Sequence, residues 1–472
     1  MFLPIKMQAR HTPDGKIEFS WAAYHDGGGK RQTAYRLTAG GKDTGWVEGD
    51  GQNAVLSLGE KAGTEVKWTL TLRDDAGKVS EKGESSFTYW HIDSFRGQWI
   101  ADPDAAQSEV TLFRKTFSVE KKPDAAFLFL SAAGIAEADL NGKRVGDRIL
   151  APNLTNFEKR RLYNAYAVEI REGENELTIS LGDGWRRNLS GYLSEGQRKA
   201  VTFFGMTEVR AFVLLRYGDR EETVGTDGTW LAGRGKTVFS HLFDGETFDA
   251  RREASFGKRA TVVTENRPEP IFDYLEPIRE KTEFAPRSIV RMPDGAYILD
   301  FGQNMQGYLA VSVPGTFPAG TEIVIRHAEE LDEDEGLYTA PLRTAKATDR
   351  IVTAGRAFTW KPSFTYHGFR YAEIRGWVGP LSKDDVRAKA ILTDIQTNSS
   401  FESGSALLNA IQKNVVMTER SNLIGIATDC PQRDERMGWM NDATVRFEET
   451  PYNFDVSSLF PKIVDDLRDE QG

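Results

Sequence analysis

The sequence has one cysteine, six histidines, no long apolar run and no excess of basic residues. A single cysteine, Cys430, excludes an internal disulfide framework and a cysteine-rich metal site. No stretch approaches the roughly 20 apolar residues that a membrane-spanning helix needs. With 60 Lys and Arg against 70 Asp and Glu, the net charge of −10 argues against nucleic acid or an anionic membrane surface as a partner.

The N-terminus also lacks the apolar core of a signal peptide. We therefore expect a cytoplasmic protein, or a periplasmic one if the N-terminus was trimmed. A chain of 472 residues corresponds to about three or four domains. Aromatic residues make up 11% of the chain and glycine occupies 44 positions, a bias that is common in β-sandwich proteins.

Apolar and polar residues alternate in short segments between glycine- or aspartate-containing turns through most of the chain. Residues 34–38 and 67–72 show this period of two, which is typical of strands with one buried face. Asn141-Gly142 favours a hairpin because both central residues of that turn adopt positive φ. These patterns predict three β regions, over residues 1–90, 91–255 and 256–395.

After about residue 400 the apolar spacing changes to that of helices. Leu407, Ile411 and Val415 recur at every fourth position, and Ser403 or Ser405 is a suitable N-cap. A second amphipathic helix is predicted from Phe460, Ile463, Val464 and Leu467. The C-terminal part of the chain is therefore predicted to be helical.

Between these helices lies the segment DCPQRDERMGWMND, residues 429–442, which we call the charged loop. It holds four carboxylates, two guanidinium groups and one tryptophan. Such groups can hydrogen-bond sugar hydroxyls and stack on a sugar ring. A carboxyl group kept protonated by burial or by a neighbouring negative charge can protonate a glycosidic oxygen. The alternative interpretation is a salt-bridged turn with Trp439 in the core.

The charged loop closely resembles the corresponding segment of bacterial α-L-rhamnosidases of glycoside hydrolase family 78. Segments upstream are also similar to that family and occur in the same order, namely residues 140–146, 244–251, 300–307, 327–329, 348–349 and 364–371. The resemblance therefore covers essentially the whole chain.

The resemblance implies a multidomain, mainly β fold, with consecutive β-sandwich and jelly-roll domains followed by the first helices of an (α/α)6 barrel. The expected domains are a fibronectin-III-like β-sandwich over 1–90, a jelly-roll carbohydrate-binding-like domain over 91–255, a β-sandwich linker domain over 256–397, and the start of the catalytic barrel over 398–472. The implied activity is removal of terminal α-L-rhamnose with inversion, from rhamnose-containing oligosaccharides or glycosides.

The resemblance also implies roles for residues of the charged loop. Glu435 matches the family's general acid, and the residues that hold the sugar match Asp429, Arg433, Trp439 and Asp442. Residues 440–441 depart from the Thr-Gly that members often carry, which bears on substrate preference. An inverting enzyme also needs a base across the sugar, which the family places far downstream in the barrel. We therefore expect residues 1–472 alone to lack the base and to be inactive.

No cofactor or metal is expected to be required. Modules related to the 91–255 domain can bind rhamnose with calcium, but no residue string identifies such ligands here. A sugar site in that domain would be lined by Asn141, Asp183, Trp185, Asn188 and Tyr192.

Several polar residues outside the charged loop receive structural interpretations. His327 is interpreted as an ordinary hydrogen-bonded histidine, and His367 as part of a structural turn. Asp300, Gln303 and Asn304 are predicted to form a turn after a strand, with support of the barrel face as the alternative.

Two further functions remain open at this point: a non-catalytic carbohydrate-binding scaffold, and a glycosidase of the same fold that cleaves another sugar. Without the rest of a barrel, apolar residues of both helices would be exposed or packed against another chain, namely Leu407, Ile411, Val415, Phe460, Ile463 and Leu467. Exposed apolar patches favour association. We therefore expect a mobile or self-associating helical end and allow for a homo-oligomer.

Overall fold

The computed structural model describes residues 1–26, 31–187 and 204–471. The chain is mainly β and forms two compact units, one of Met1–Phe95 with Glu269–Tyr274 and the other of Arg96–Pro268 with Leu275–Gly472. Within the described parts of the chain, every helix is too short or too polar to span a bilayer. The prediction of a mainly β, multidomain chain with a helical C-terminal part is confirmed.

The first unit contains the strands β1 (Phe2–His11), β2 (Ile17–His25), β3 (Gln32–Ala39), β4 (Lys42–Asp43), β5 (Val47–Glu48), β6 (Asn53–Leu56), β7 (Thr64–Asp74) and β8 (Gly83–Tyr89). One sheet has the order β1-β2-β6, and the other has the order β4-β3-β7-β8 with β5 paired to β3. Burial alternates along β7, so that Trp68 and Leu70 face a core shared with Phe19.

The second unit begins with β9 (Ile100–Ala101), β10 (Thr111–Val119), β11 (Ala125–Ala133), β12 (Ile135–Leu140), β13 (Lys143–Arg144), β14 (Leu162–Ala167), β15 (Gly173–Gly182), the short helix α1 (Gly184–Arg187), β16 (Glu208–Tyr217), β17 (Arg220–Gly225) and β18 (Leu231–Arg234). It continues with β19 (Thr237–His241), β20 (Gly245–Asp249), β21 (Ser255–Arg259) and β22 (Thr261–Val262). Two sheets enclose a core that includes Phe113, Leu128 and Trp230, in the orders β13-β12-β15-β10-β18-β21 and β22-β9-β16-β11-β14.

The third sheet follows the strand β23 (Ile271–Phe272), which belongs to the first unit. Its strands are β24 (Ile278–Phe284), β25 (Ser288–Arg291), β26 (Tyr297–Val313), β27 (Glu322–Ala328), β30 (Thr348–Val352), β31 (Phe358–Trp360), β32 (His367–Arg375) and β33 (Val386–Thr393), while β28 (Glu330–Leu331) and β29 (Leu337–Tyr338) form a separate hairpin. β19 and β20 join this sheet, because β20 pairs in parallel with β30.

Two sequence interpretations are wrong in this sheet. His367 is a buried residue of β32 rather than part of a turn. Asp300, Gln303 and Asn304 do not follow a strand but lie inside β26, which continues across a register shift between Asp300 and Met305. A hydrogen bond within the bulge stabilises it, because the Gly302 N–H donates to Asp300 Oδ1 at 2.6 Å.

The C-terminal part contains the helices α2 (Ala406–Asn422), α3 (Met440–Thr444), α4 (Thr450–Asn453) and α5 (Leu459–Glu470). Ser405 caps α2 by accepting a hydrogen bond from the Leu408 N–H. Both predicted amphipathic helices are therefore present.

The two long helices differ in how their apolar residues are covered. Leu407 of α2 is 69% exposed and Ile411 is 49% exposed, as expected. Ile463 of α5 is only 6% exposed, and the ring of Phe460 lies 4.7 Å from that of Phe447. The expectation that these two side chains would be exposed is wrong, because residues 423–459 supply the apolar partners.

Polar contacts hold α5 against the loop that precedes β14. Arg160 pairs with three carboxylates of α5, those of Asp465, Asp466 and Asp469, at distances of 2.6 to 3.3 Å. Lys462, which has no exposed side-chain surface, donates to the Leu154 carbonyl. The helix is therefore part of the second unit rather than an appendage.

Candidate active site

The charged loop begins shortly after α2, and its last three residues, 440–442, form the start of α3. Just before it, Ile424 and Ile426 are buried in a core shared with the β regions of the same unit. Gly425 between them has φ 74, and a Cβ atom there would lie 2.4 Å from Asn153 Oδ1. This turn therefore requires glycine, and it brings the loop onto the β regions.

Asp429 closes the two ends of the loop. Its Oδ1 accepts a hydrogen bond from the Met437 N–H at 3.0 Å, and its own N–H donates to the Met437 carbonyl at 3.0 Å. The carboxylate is only 1% exposed. Asp429 therefore shapes the loop, in addition to any contact it makes with a sugar.

Arg433 and Trp439 converge with Asp429 on Glu435. Arg433 Nη2 lies 3.0 Å from Asp429 Oδ2, and Arg433 Nε donates to Glu435 Oε2 at 3.0 Å. Trp439 Nε1 donates to Glu435 Oε1 at 2.8 Å. The Glu435 side chain is 21% exposed, so it is supported from inside the loop and still open to a ligand.

The connection between β29 and β30 also contacts the charged loop. Arg343 Nη1 donates to Glu435 Oε2 at 2.8 Å, and Thr344 donates to Asp434 Oδ2 through both its N–H and its hydroxyl. Arg343 is separated from Glu435 by 92 residues, and no pattern around it marked it as part of the site. Neither Arg343 nor Thr344 was identified from the sequence.

Arg436 fastens the loop to the β regions. Its guanidinium group is fully buried and donates to the carbonyl oxygens of Leu242 and Tyr366, at 2.8 and 2.6 Å from Nη1. It also donates to two carbonyl oxygens of its own loop, those of Gln432 and Arg433, at 2.9 and 3.0 Å. Arg436 has φ 52, so the backbone is in the left-handed region at the point where the side chain turns inward.

The two remaining polar residues of interest are placed differently. Asp442 lies exposed in the first turn of α3, and within the described residues its side chain makes no hydrogen bond or ion pair. The structure therefore brings four of the five predicted site residues into one network and leaves Asp442 outside it. Burial raises the pKa of the Cys430 thiol to about 12, so the group is a neutral thiol and a poor nucleophile.

His327, Asp349 and His367 form a buried cluster beneath this region, with potential ligand atoms within 4.8 Å of one another. The two imidazole rings are stacked, 4.2 Å apart and inclined by 20°, so their in-plane lone pairs do not converge on one ion. His367 Nε2 lies 3.1 Å from Asp349 Oδ2, and His327 Nδ1 lies 3.0 Å from the Ala347 carbonyl. Burial lowers the pKa of His327 to about 3, which fits a neutral, hydrogen-bonded residue.

The residues named as a possible sugar site in the 91–255 region are not brought together where the structure describes them. Asn141 is bonded to Asn175 and to the Glu176 N–H near the start of β15, whereas Asp183 and Trp185 follow the end of that strand. Trp185 is 3% exposed and donates to the Arg436 carbonyl, so it offers no face for a sugar. The other two predicted lining residues, Asn188 and Tyr192, lie outside the described residues.

Comparison with known proteins gives a consistent result across the second unit. The model of the alpha-L-rhamnosidase N-terminal domain matches residues 121–266. The model of the bacterial alpha-L-rhamnosidase concanavalin-like domain matches residues 290–392, and the model of the six-hairpin glycosidase domain of the same enzymes matches residues 396–472.

Individual relatives carry the same description. An alpha-L-rhamnosidase from Streptomyces avermitilis is 35% identical over 455 residues, which is 90% of this chain and 42% of that protein. One from Formosa agariphila is 27% identical over 511 residues, which is 95% of this chain and 53% of that protein. The chain thus spans about half the length of these curated relatives.

Solved structures agree with the fold. An alpha-L-rhamnosidase from Dictyoglumus thermophilum is 30% identical and superposes with a TM-score of 0.86 over 99% of this chain and 57% of its own. A Streptomyces avermitilis alpha-L-rhamnosidase complexed with L-rhamnose is 22% identical, has a TM-score of 0.84, and is matched over 100% of this chain and 65% of its own.

Proposed function

The chain belongs to the bacterial α-L-rhamnosidase family, and from that premise we propose that it carries the proton-donating side of a glycoside hydrolase site that removes terminal α-L-rhamnose with inversion. The observation that supports this most directly is the convergence of three N–H donors on Glu435, a carboxyl group that remains partly open at the surface of the loop. A held but accessible carboxyl group is what proton transfer to a leaving oxygen requires.

In the proposed reaction Glu435 protonates the glycosidic oxygen as the bond to rhamnose breaks. Trp439 and Arg433 fix the direction of the carboxyl group, since each donates to one of its oxygens. Asp429, Arg433, Trp439 and Asp442 are proposed to bind the sugar, whose vicinal hydroxyls pair well with charged groups. The sugar ring then lies over the open side of the loop, next to Glu435.

Inversion also requires a base about 6.5–9.5 Å from the acid, on the opposite face of the sugar. The carboxylates near the C-terminal end of the chain already have structural partners. Asp465 and Asp466 pair with Arg160, and Asp455 accepts hydrogen bonds from Ser457. We propose that the base is supplied by a part of the barrel outside residues 1–472.

Two assays test this proposal. The protein made from the complete reading frame should release rhamnose from natural and aryl α-L-rhamnosides, with the β-anomer detected first by NMR. A panel of other aryl glycosides distinguishes a glycosidase for another sugar, and sugar binding without any turnover would support a non-catalytic scaffold. Purified residues 1–472 should show no turnover; if they do, a carboxylate within them is the base and the proposal for its location is wrong.

A further inference from the structure

Arg343 occupies a position in which it competes with the proton that Glu435 is proposed to carry. Glu435 Oε2 accepts hydrogen bonds from both Arg343 Nη1, at 2.8 Å, and Arg433 Nε, at 3.0 Å. Its Oε1 accepts one from Trp439 Nε1. A carboxyl oxygen has two in-plane lone pairs, so the two guanidinium groups occupy both on Oε2. One of these two donors must leave before a proton can be placed on Oε2, and a proton on Oε1 would still face the positive charges of both guanidinium groups.

The three donors differ in how firmly they are held. Arg433 is also paired with Asp429, so it is bound at two carboxylates. Trp439 is fixed through its backbone, because its N–H donates to the Met437 carbonyl at the start of α3. The Arg343 side chain is 53% exposed, and among the described residues its guanidinium group contacts only Glu435. Arg343 is therefore the donor that leaves at least cost.

The backbone of Arg343 is held in place even though its side chain is free to move. The adjacent Leu342 and Ala345 are 3% and 6% exposed and belong to the large core of the second unit. Arg343 has φ 57, and its N–H donates to the Ala340 carbonyl at 3.2 Å. Thr344 is bonded to Asp434 beside Glu435. A guanidinium group on such an anchor can leave Glu435 and return to it without displacement of the main chain.

The charges around Glu435 come from two segments. On its own loop it faces Arg433, Asp429 and the neutral Cys430 thiol, with Asp434 as its neighbour. From the opposite segment it faces Arg343, whereas Lys346 of that segment is directed to Asp244 at 2.7 Å. The removable positive charge at Glu435 is therefore that of Arg343.

We propose that Arg343 is a positioning residue that holds Glu435 through Oε2 in the free enzyme and is displaced when substrate binds, which frees Oε2 for the proton. The inference rests on the proposed function. The proton comes from solvent and is passed to the glycosidic oxygen, while Arg343 keeps its charge and moves into solvent.

The test is the pH dependence of kcat and of kcat/KM for the wild-type protein from the complete reading frame and for Arg343→Gln. The profile of kcat/KM reports groups of the free enzyme, and that of kcat reports groups of the complex. In the wild type, the alkaline limb of kcat should lie at higher pH than that of kcat/KM. Arg343→Gln should move the alkaline limb of kcat/KM upward by about half a pH unit, because the interaction free energy of a half-exposed ion pair corresponds to a shift of that size. The alkaline limb of kcat should be unchanged.

Two further variants make the result specific. Arg343→Lys retains the positive charge and should retain the gap between the two limbs. Lys346→Gln removes a charge three residues away whose side chain is 70% exposed and paired elsewhere, and it should leave both profiles unchanged. Thermal unfolding of each variant checks that the fold is retained.

An unchanged kcat/KM limb in Arg343→Gln, with activity lowered equally at all pH values, would overturn the inference and leave Arg343 with a structural role. Equal movement of both limbs would also overturn it, because Arg343 would then remain on Glu435 in the complex. A wild-type protein without rhamnosidase activity, or a Glu435→Gln variant as active as the wild type, would instead refute the proposed function, and the inference would fall with it.

Discussion

Glu435 and Arg436 are neighbours in the chain, but their side chains lie on opposite sides of the charged loop and in different surroundings. The Glu435 carboxyl group is 21% exposed and is held by side-chain donors. The Arg436 guanidinium group is fully buried and is held by carbonyl oxygens, two of which belong to residues far away in sequence. One side of the loop therefore offers a reactive group, and the other side fastens it.

Because of this difference, substitutions on the two sides of the loop should affect stability and activity differently. A change on the buried side should lower stability, and it should lower activity through displacement of the loop. A change on the open side should lower activity with little effect on stability. Active sites generally need such a rigid support beneath the reacting groups.

The largest expected effect on the buried side comes from Arg436→Ala. The substitution leaves the carbonyl oxygens of Leu242 and Tyr366 without this donor and opens a cavity in the core. We expect the free energy of unfolding to fall by roughly 3–5 kcal/mol. Urea unfolding of residues 1–472 measures this change. Arg468→Ala, at a side chain that is 72% exposed, is the control and should change stability by less than about 0.5 kcal/mol.

A smaller effect is expected from Gly368→Ala in β32. A Cβ atom at this position would lie 2.8 Å from Gln432 Cβ and 3.0 Å from the Gln432 nitrogen, so the loop must move away from the strand. We expect a loss of about 1–3 kcal/mol in stability together with a lower kcat. Gly257→Ala, in strand β21 with no atom within 4 Å of the added Cβ, is the matched control. Equal effects of the two substitutions would show that the loop does not rest on β32.

Trp185→Phe should have a still smaller effect. It removes one hydrogen bond, from Trp185 Nε1 to the Arg436 carbonyl at 3.3 Å, and retains most of the buried ring. We expect a loss of about 1 kcal/mol in stability and a modest decrease in kcat. Trp230→Phe removes a comparable bond to the Gly225 carbonyl, at 2.9 Å, and should cost similar stability with no change in kcat. A decrease in kcat for both variants would contradict a specific link between Trp185 and the loop.

On the buried side, the free energy of unfolding should depend on pH through Glu246, which lies in β20 shortly after Leu242. Burial raises the pKa of Glu246 to about 8 from 4.5. The folded state then binds a proton that the unfolded state releases, so this group's contribution is complete below pH 4.5 and is lost as the pH rises to about 8. Glu246→Gln cannot ionise, so its stability should fall less than that of the wild type over this range. If the free energy of unfolding changed with pH in the same way for the two proteins, the prediction would be wrong.

The sequence predicted the helices and strands better than it predicted which segments pack against them. Apolar spacing identified both α2 and α5, because helix periodicity is a local property. It did not distinguish the exposed Ile411 from the buried Ile463, since burial depends on which other segments are present. The ion pairs of Arg160 with α5 join residues about 300 positions apart and have no local signature.

The site was predictable to the extent that it is local. Arg433, Glu435 and Trp439 lie within seven residues, and the resemblance of this segment to that of bacterial α-L-rhamnosidases identified them. The contact of Arg343 with Glu435 was not predictable, because it depends on how the fold places the connection between β29 and β30 beside the charged loop. The role of Arg436 was hidden for another reason: its partners are backbone carbonyls, which every residue has.

The most direct test of the account is Glu435→Gln in the protein from the complete reading frame, with kcat/KM for a natural α-L-rhamnoside measured beside the free energy of unfolding. The substitution removes the proton and retains the shape of the side chain. We expect a loss of about 10²–10⁴-fold in kcat/KM, smaller for an aryl rhamnoside with a good leaving group, and unfolding within about 0.5 kcal/mol of the wild type. Cleavage of the natural rhamnoside at the wild-type rate would contradict the assignment of Glu435 as the proton donor.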